Sequence, residues 1–384
     1  MAIMYNLLQL PPLSLYIHIP WCVRKCPYCD FNSHTSDKTL PETQYVNALL
    51  SDLDAQLSFA QNRPLQSIFF GGGTPSLFSA NAIKNILNGV RKTIPFTPHI
   101  EITLEANPGT FEQDKFQAYR QAGVNRLSIG IQSFDPTHLK NLGRIHGKQE
   151  ALIAASKAQQ AGFDNFNVDL MHGLENQNTA QALADLQQAI DLGAQHISWY
   201  QLTIEPNTAF YKSPPIIPLD DQLADIQQAG EQLLADNGFI QYEVSAFSKL
   251  AKQSEHNLNY WQFGDYIGIG AGAHGKITLL EQQSIQRQWQ TRSPKDYLDS
   301  HKAFTSGHRL ISVDERPLEF MMNALRLNQG FSLELFEQHT GLPYSHITSS
   351  TNALIDKGLL QKSSRHITPT TLGRRFLNDL LEAF

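Results

Sequence analysis

The sequence predicts an α/β fold: a partial (β/α)6 barrel followed by a smaller, mainly helical domain. Three observations carry that expectation. Short apolar runs alternate with longer amphipathic segments from Leu13 to about Ile204. Several amphipathic segments close on a glycine shortly before the next run, at Gly123, Gly162, Gly193 and Gly238, as helices that end in a left-handed residue do. The polar residues suited to chemistry fall at the carboxyl ends of the runs, where parallel α/β folds place their sites.

The apolar runs are Leu15–Ile19, Ser67–Phe70, Ile100–Leu104, Arg126–Ile131, Phe166–Leu170 and His196–Thr203. Between them Gln44–Phe59, Ala82–Val90, Phe111–Gln121, Glu150–Gln160 and Thr179–Asp191 show helical spacing. Six strands suit a partial barrel, since a complete one needs eight; a doubly wound open sheet is the structural alternative. Glu205–Pro218 is punctuated by prolines and reads as a long connection. A helix over Asp221–Asn237, a strand over Tyr242–Phe247 and the segment Glu255–Trp261 follow. The glycine-rich run Tyr266–Gly275 lacks the helix and acidic residue of a dinucleotide fingerprint. A close approach of its backbone to a ligand or a neighbouring strand is expected instead.

From Pro317 onward the chain reads as helical. Leu333–Thr340, Ser345–Lys357, Gly358–Gln361 and Ile367–Arg375 resemble a winged-helix module. Five acidic and five basic residues between Phe331 and Phe384 cancel, whereas a DNA reader is usually basic on one face. A packing or substrate-covering role is expected. The domain boundaries expected are 1–215 for the barrel, 216–310 for its extension and 311–384 for the C-terminal domain.

The 384 residues are 41% hydrophobic and 17% charged, with a formal net charge of −6. That balance argues against a large nucleic-acid footprint. No run of 18 apolar residues occurs, so no membrane span is expected. The first 21 residues contain no Lys or Arg, so no secretory leader is expected either. A reducing cytoplasm suits free thiolates.

All three cysteines of the chain, Cys22, Cys26 and Cys29, lie in one CxxxCxxC array directly after the first strand. Three thiolates can hold a [4Fe–4S] cluster that ordinarily takes four, leaving one iron open. Zinc held with His18 or His34 and a merely structural set of thiols are the competing readings. Gly71–Ser76 follows the second strand, Glu105-Ala-Asn-Pro the third, and Gln132-Ser-Phe-Asp the fourth; Asp169 lies near the end of the fifth. Glycines allow backbone polar groups to approach a ligand, or only a tight turn. Glu105 can accept hydrogen bonds from hydroxyls, or begin a helix. Arg144 can pair with a carboxylate, or lie on the surface.

With the cysteines in this setting, the chain resembles the radical S-adenosylmethionine (SAM) proteins, in which SAM chelates the open iron. Its first two-thirds are similar to oxygen-independent coproporphyrinogen III oxidase and its relatives, and the similarity continues into the C-terminal domain. The resemblance implies that Cys22, Cys26 and Cys29 hold the cluster, and that Tyr16, Gly72 and Glu105 meet the cluster-bound SAM. It implies that Gly73, Thr74, Gln132, Arg144 and Asp169 line a second SAM position, with Tyr28 as a further aromatic contact. Two departures count against oxidase activity: Phe31 stands where the oxidase has a further cysteine, and only 21 residues precede Cys22.

Cys26-Pro-Tyr-Cys-Asp-Phe-Asn-Ser-His34 and His256-Asn-Leu-Asn-Tyr-Trp261 are similar instead to the heme-chaperone branch of that family. This implies heme as ligand, heme-accepting apo-proteins such as respiratory enzymes as partners, and a small electron-donor protein. It also implies a cytoplasmic location with contact to the inner membrane through partners. His256 is the first choice for heme ligand, since histidine is a common axial ligand and Tyr260 and Trp261 offer flat faces. His274 and His18 are the other candidates. Oxidative decarboxylation of coproporphyrinogen III is the alternative function.

Overall fold

The computed structural model describes residues 7–36, 39–109 and 113–384. Six parallel strands form its centre: β1 (Leu13–Ile19), β2 (Leu65–Gly72), β3 (Phe96–Ala106), β4 (Arg126–Gln132), β5 (Phe166–His172) and β6 (His196–Gln201), each hydrogen-bonded to the next. They are the six runs expected from sequence. Their central residues are buried (β1 buries Leu13, Ser14, Leu15, Ile17, His18 and Ile19), while the start of β3 and the end of β6 are more open.

Helices Glu42–Ala55, Ala80–Thr93, Phe116–Ala122, Lys148–Gln160 and Thr179–Asp191 cover the outer face. The helix expected over Phe111–Gln121 begins at Phe116; Phe111 and Glu112 lie outside the described residues. Gly123, Gly162, Gly193 and Gly238 all have positive φ, between 71° and 115°, so the helix-ending role inferred for them holds. Ala151, Ala154, Ala155 and Ala158 present a flat face that brings helix Lys148–Gln160 close onto the sheet.

The sheet does not close. Beyond β6 it continues through β8 (Ala246–Ser248) to β7 (Ile240–Glu243), both antiparallel. The single strand expected over Tyr242–Phe247 is therefore two. A turn at Val244-Ser245 reverses the chain, and the carbonyl of Ser245 accepts the N–H of Trp199 at 2.7 Å. Beyond β1 lie β9 (Asp265–Ile269), parallel to it, and then the antiparallel strands β10 (His274–Leu279), β11 (Ser284–Gln290) and β12 (Thr305–Ile311). This makes twelve strands in one sheet.

The glycine-rich run is β9 with the turn into β10. A Cβ on Gly268 would lie 2.0 Å from the carbonyl oxygen of His274, and one on Gly270 would lie 2.4 Å from that of His18. The close backbone approach expected here is thus to neighbouring strands.

The C-terminal part has helices Arg316–Ala324, Leu333–Thr340 and Thr348–Asp356 and a small antiparallel sheet in which His366–Pro369 lies between Phe331–Ser332 and Leu360–Ser363. Its core of Phe320, Phe331, Phe336, Leu354 and Ile367 also takes in Phe263, Ile285 and Ile311. The module is therefore seated on the antiparallel extension of the main sheet.

Candidate functional site: two adjoining cavities

The cysteine segment leaves β1 at Ile19 and is clipped back on itself. Trp21–Cys22 pairs in parallel with His34–Thr35. Trp21 packs edge-on to Tyr45 at 4.7 Å, and its carbonyl accepts the Thr74 N–H at 2.7 Å while Ile19 accepts that of Gly73 at 2.8 Å. The turn after β2 thus lies flat on the cysteine segment. Glycine is required there by the chain itself. A Cβ on Gly73 would lie 2.4 Å from the Trp21 carbonyl oxygen, and one on Gly72, at φ +115°, would lie 2.6 Å from the His18 ring.

Cys22 is buried, and Cys26 and Cys29 are half-buried. Burial raises the thiols of Cys22 and Cys29 above their usual range. Arg144 Nη1 lies 3.6 Å from the Cys26 sulfur. All three cysteines line one cavity of about 460 Å³, together with Tyr28, Gly72, Gly73, Thr74, Glu105, Gln132, Arg144 and Asp169. The sequence-predicted residues therefore converge, save Tyr16 and His256.

Among the described residues no three His, Cys, Asp or Glu side chains converge on a point suited to a single ion. His18 is committed elsewhere, its Nδ1 to the Tyr16 hydroxyl at 2.8 Å and its Nε2 to the Asn32 carbonyl at 2.9 Å. A cluster binds each thiolate to a different iron, so three cysteines spread along one cavity wall suit it.

Deeper in this cavity Glu105 and Asp169 face the same space from β3 and β5. Burial, then the Asp169 charge, pushes the Glu105 carboxyl up to about 8 despite a hydrogen bond from the Gly72 N–H. Burial raises Asp169 too, opposed by Ser128 Oγ at 2.9 Å and Asn167 Nδ2 at 2.8 Å. Two carboxyls in one enclosed site resist double ionisation, and they suit a cationic or hydroxyl-bearing ligand. Gln132 ends β4 at φ +71°, a strained setting for a residue other than glycine. Arg144 Nη2 donates to Asn107 Oδ1 at 2.7 Å, and Asn107 Nδ2 donates to Thr74 Oγ1 at 3.2 Å.

A second cavity, of about 840 Å³, adjoins the first; Asp30, Phe31, Gly72 and Glu105 line both. Tyr16 belongs here, with Phe69, Tyr260, Trp261, Tyr266, His274 and Trp289. His256 is not among its lining residues. Its Nδ1 lies 2.8 Å from Ser254 Oγ and 3.1 Å from Glu101 Oε1, and its ring stacks on Phe69 at 4.0 Å. Burial pushes Glu101 up, but Arg126 and the His256 hydrogen bond outweigh it and hold the carboxyl at about 2.

Residues 16–189 match the family model of the radical SAM superfamily, and residues 311–376 match that of the HemN C-terminal domain. The chain is 50% identical to the heme chaperone HemW of Escherichia coli (strain K12), covering 98% of this chain and 99% of the relative. The chain belongs to the HemW family. The heme chaperone HemW of Bacillus subtilis (strain 168) is 32% identical, over 97% of this chain and 98% of the relative. Among solved structures, coproporphyrinogen III oxidase (HemN) from Escherichia coli superposes with a TM-score of 0.81 at 21% identity, covering 99% of this chain and 91% of that one. That likeness shows the shared fold.

Radical SAM membership implies a [4Fe–4S] cluster and SAM in this HemW-family chain, and the cysteine-lined cavity fits them. Sequence reasoning missed Ser128, Asn107 and, in the second cavity, Phe69, Tyr266 and Trp289, whereas Tyr260 and Trp261 were already expected to offer flat faces. Ser128 was within reach: Ser128, Gly130 and Gln132 alternate along β4 and all line the first cavity, the period-2 signal of one strand face. Asn107 was read only as part of a turn with Pro108.

Proposed function

We propose that this chain is a heme chaperone, binding heme and passing it to apo-proteins, with a [4Fe–4S] cluster and SAM in the cysteine-lined cavity. The identity of 50% over nearly the whole of both chains with a heme chaperone HemW carries the reading. Cys22, Cys26 and Cys29 would hold the cluster, Gly72 and Glu105, which line both cavities, would meet the SAM bound to it, and Tyr16 would reach that SAM from the second cavity. Gly73, Thr74, Gln132, Arg144 and Asp169 would line the remainder of that cavity. A cluster with SAM supplies, when bound, a one-electron route to radical chemistry.

The chain's own residues hold the groups in place and manage charge. Arg144, fixed by Asn107 and by the Gly130 carbonyl at 2.5 Å, brings positive charge to the Cys26 thiolate. Glu105 keeps its proton at neutral pH until a cation arrives. The family motif names His256 as the first choice of heme ligand, but its ring stacks on Phe69 outside the lining of the second cavity, with Nδ1 held by Ser254 and Glu101. A cytoplasmic location, a small electron-donor protein and recipients at the membrane belong to the same proposal; no helix among the described residues is long and apolar enough to cross a membrane.

The test is an anaerobic titration of the reconstituted chain with hemin, followed by addition of an apo-globin as a generic acceptor, beside an assay with coproporphyrinogen III. Saturable heme binding, transfer to the acceptor and no porphyrin product are expected. Porphyrin formation without heme binding would overturn the chaperone reading in favour of the oxidase.

A further inference from the structure

We propose that the cavity of about 840 Å³ is the seat of the porphyrin, with His274 as the ligand to its iron and Arg292 as the partner of a propionate carboxylate. The inference rests on the heme-chaperone reading and names a site within it. The volume lies in the range of pockets that enclose small ligands and cofactors, roughly 300–1,000 Å³. The walls are flat and aromatic: Tyr260, Trp261, Tyr266 and Trp289 line the space, with Tyr260 edge-on to Tyr266 at 4.7 Å. A macrocycle is recognised by such faces.

His274 is the accessible histidine of this cavity. It is exposed and begins β10, where it pairs with Trp289 of β11. Its backbone position is fixed by the close approach of Gly268. His18 also lines the cavity, but both its ring nitrogens are engaged. His256 lies buried against the Phe69 ring, with Nδ1 held by Ser254 and Glu101. In this arrangement it fixes the helix Glu255–Trp261, whose Tyr260 and Trp261 form the wall.

The cations of the cavity divide in the same way. Among the described residues Lys276 is paired with buried Asp265 at 2.9 Å and Arg287 with Glu319 at 2.6 Å. Arg292, exposed and lining the cavity, has no ion-pair partner among the described residues. An arginine in that state matches a carboxylate bidentately. Gly72 and Glu105 line both cavities, so an occupant here is a direct neighbour of whatever fills the cysteine-lined one.

The test uses the full chain with its cluster reconstituted, titrated anaerobically with hemin, with hemin dimethyl ester and with metal-free protoporphyrin, and read by absorption. His274→Ala is expected to shift the heme band and weaken hemin binding, with the band restored by added imidazole and metal-free protoporphyrin bound as by the wild type. Arg292→Glu is expected to weaken hemin binding while leaving the dimethyl ester, which has no free carboxylates, unaffected. Cluster iron content and circular dichroism report whether each variant folds; His274→Gln serves if His274→Ala does not. An unchanged band and affinity in the His274 variants, or loss of the band in His256→Ala with metal-free protoporphyrin still bound, would overturn His274 as ligand. Failure of the wild type to bind hemin would instead defeat the chaperone reading, and this site with it.

Discussion

The two cavities share four lining residues and little else. The first is made of neighbours: one loop of cysteines, one glycine turn, and side chains from the ends of consecutive parallel strands. The second is aromatic and assembled from β1, β2, the helix Glu255–Trp261 and the antiparallel strands beyond β9, parts separated by more than half the chain. The difference teaches where sequence carries its signal. A site that gathers thiolates and close backbone turns needs particular residue types at fixed spacing. A site that offers flat apolar walls can draw them from any strand that reaches the place.

The largest expected effect separates the two regions by the cluster. Cys26→Ala should abolish it, since two remaining thiolates hold the cube poorly and Arg144 is left beside an empty corner. Iron and sulfide content after anaerobic reconstitution is the measurement, with loss of nearly all of both expected. The second cavity contains none of the three cysteines, so binding of metal-free protoporphyrin should persist. A Cys26→Ala chain that retained a full complement of iron would break the assignment of the first cavity.

A smaller effect probes the support of the second cavity. Glu101, buried, lies 3.7 Å from buried Arg126 and accepts the N–H groups of Glu255 and His256 at 3.2 and 3.3 Å. It thereby fixes the start of the helix that carries Tyr260 and Trp261. Glu101→Ala leaves the guanidinium buried and unpaired, a change that costs about 3–5 kcal/mol. The melting temperature should fall by several degrees, and porphyrin binding should weaken while cluster content stays. An unchanged melting temperature would mean that Arg126 finds another partner, and the comparison between a rigid and a supported wall would need redrawing.

The same contrast governs what was legible before the structure. All six central strands were readable because each pairs an apolar run with an amphipathic segment, and the helices after β3, β4, β5 and β6 stop at a left-handed glycine. The cysteine-lined cavity was readable because its residues follow those strands directly. Strands β10 to β12 were not: Ser284–Gln290 has only Ile285 and Trp289 as apolar residues, with three polar ones between them, and its register on β10 and β12 is set by contacts across the sheet, which spacing along the chain does not encode. The hairpin at Val244-Ser245 was read as one strand because its two arms are short and its turn contains neither Gly nor Pro. The burial of His256 was invisible as well. A histidine beside aromatics looks the same in sequence whether it faces a ligand or, as here, sits on Phe69 with Glu101 at its Nδ1.

The smallest expected effect concerns Glu105, which stands on the border of both cavities. In an unfolded chain its carboxyl titrates near 4.5, and in the fold it is pushed up to about 8 by burial and then by Asp169. Between those values the unfolded chain has lost a proton that the folded chain keeps. The stabilising contribution is therefore complete below pH 4.5 and is lost as the pH rises towards 8, beyond which it stays lost. Glu105→Gln keeps the shape and removes the titration. Relative to wild type, the variant's melting temperature should rise across that window and run level above it. Thermal melts of the chain without SAM, taken from pH 5 to pH 9, measure the difference. SAM brings a positive charge to the first cavity, which should lower the Glu105 carboxyl and shrink the window in wild type but not in the variant. A difference that is flat from pH 5 to pH 9 would mean that water reaches Glu105 through the second cavity and screens it from Asp169. The two cavities would then form one wet space at their common wall.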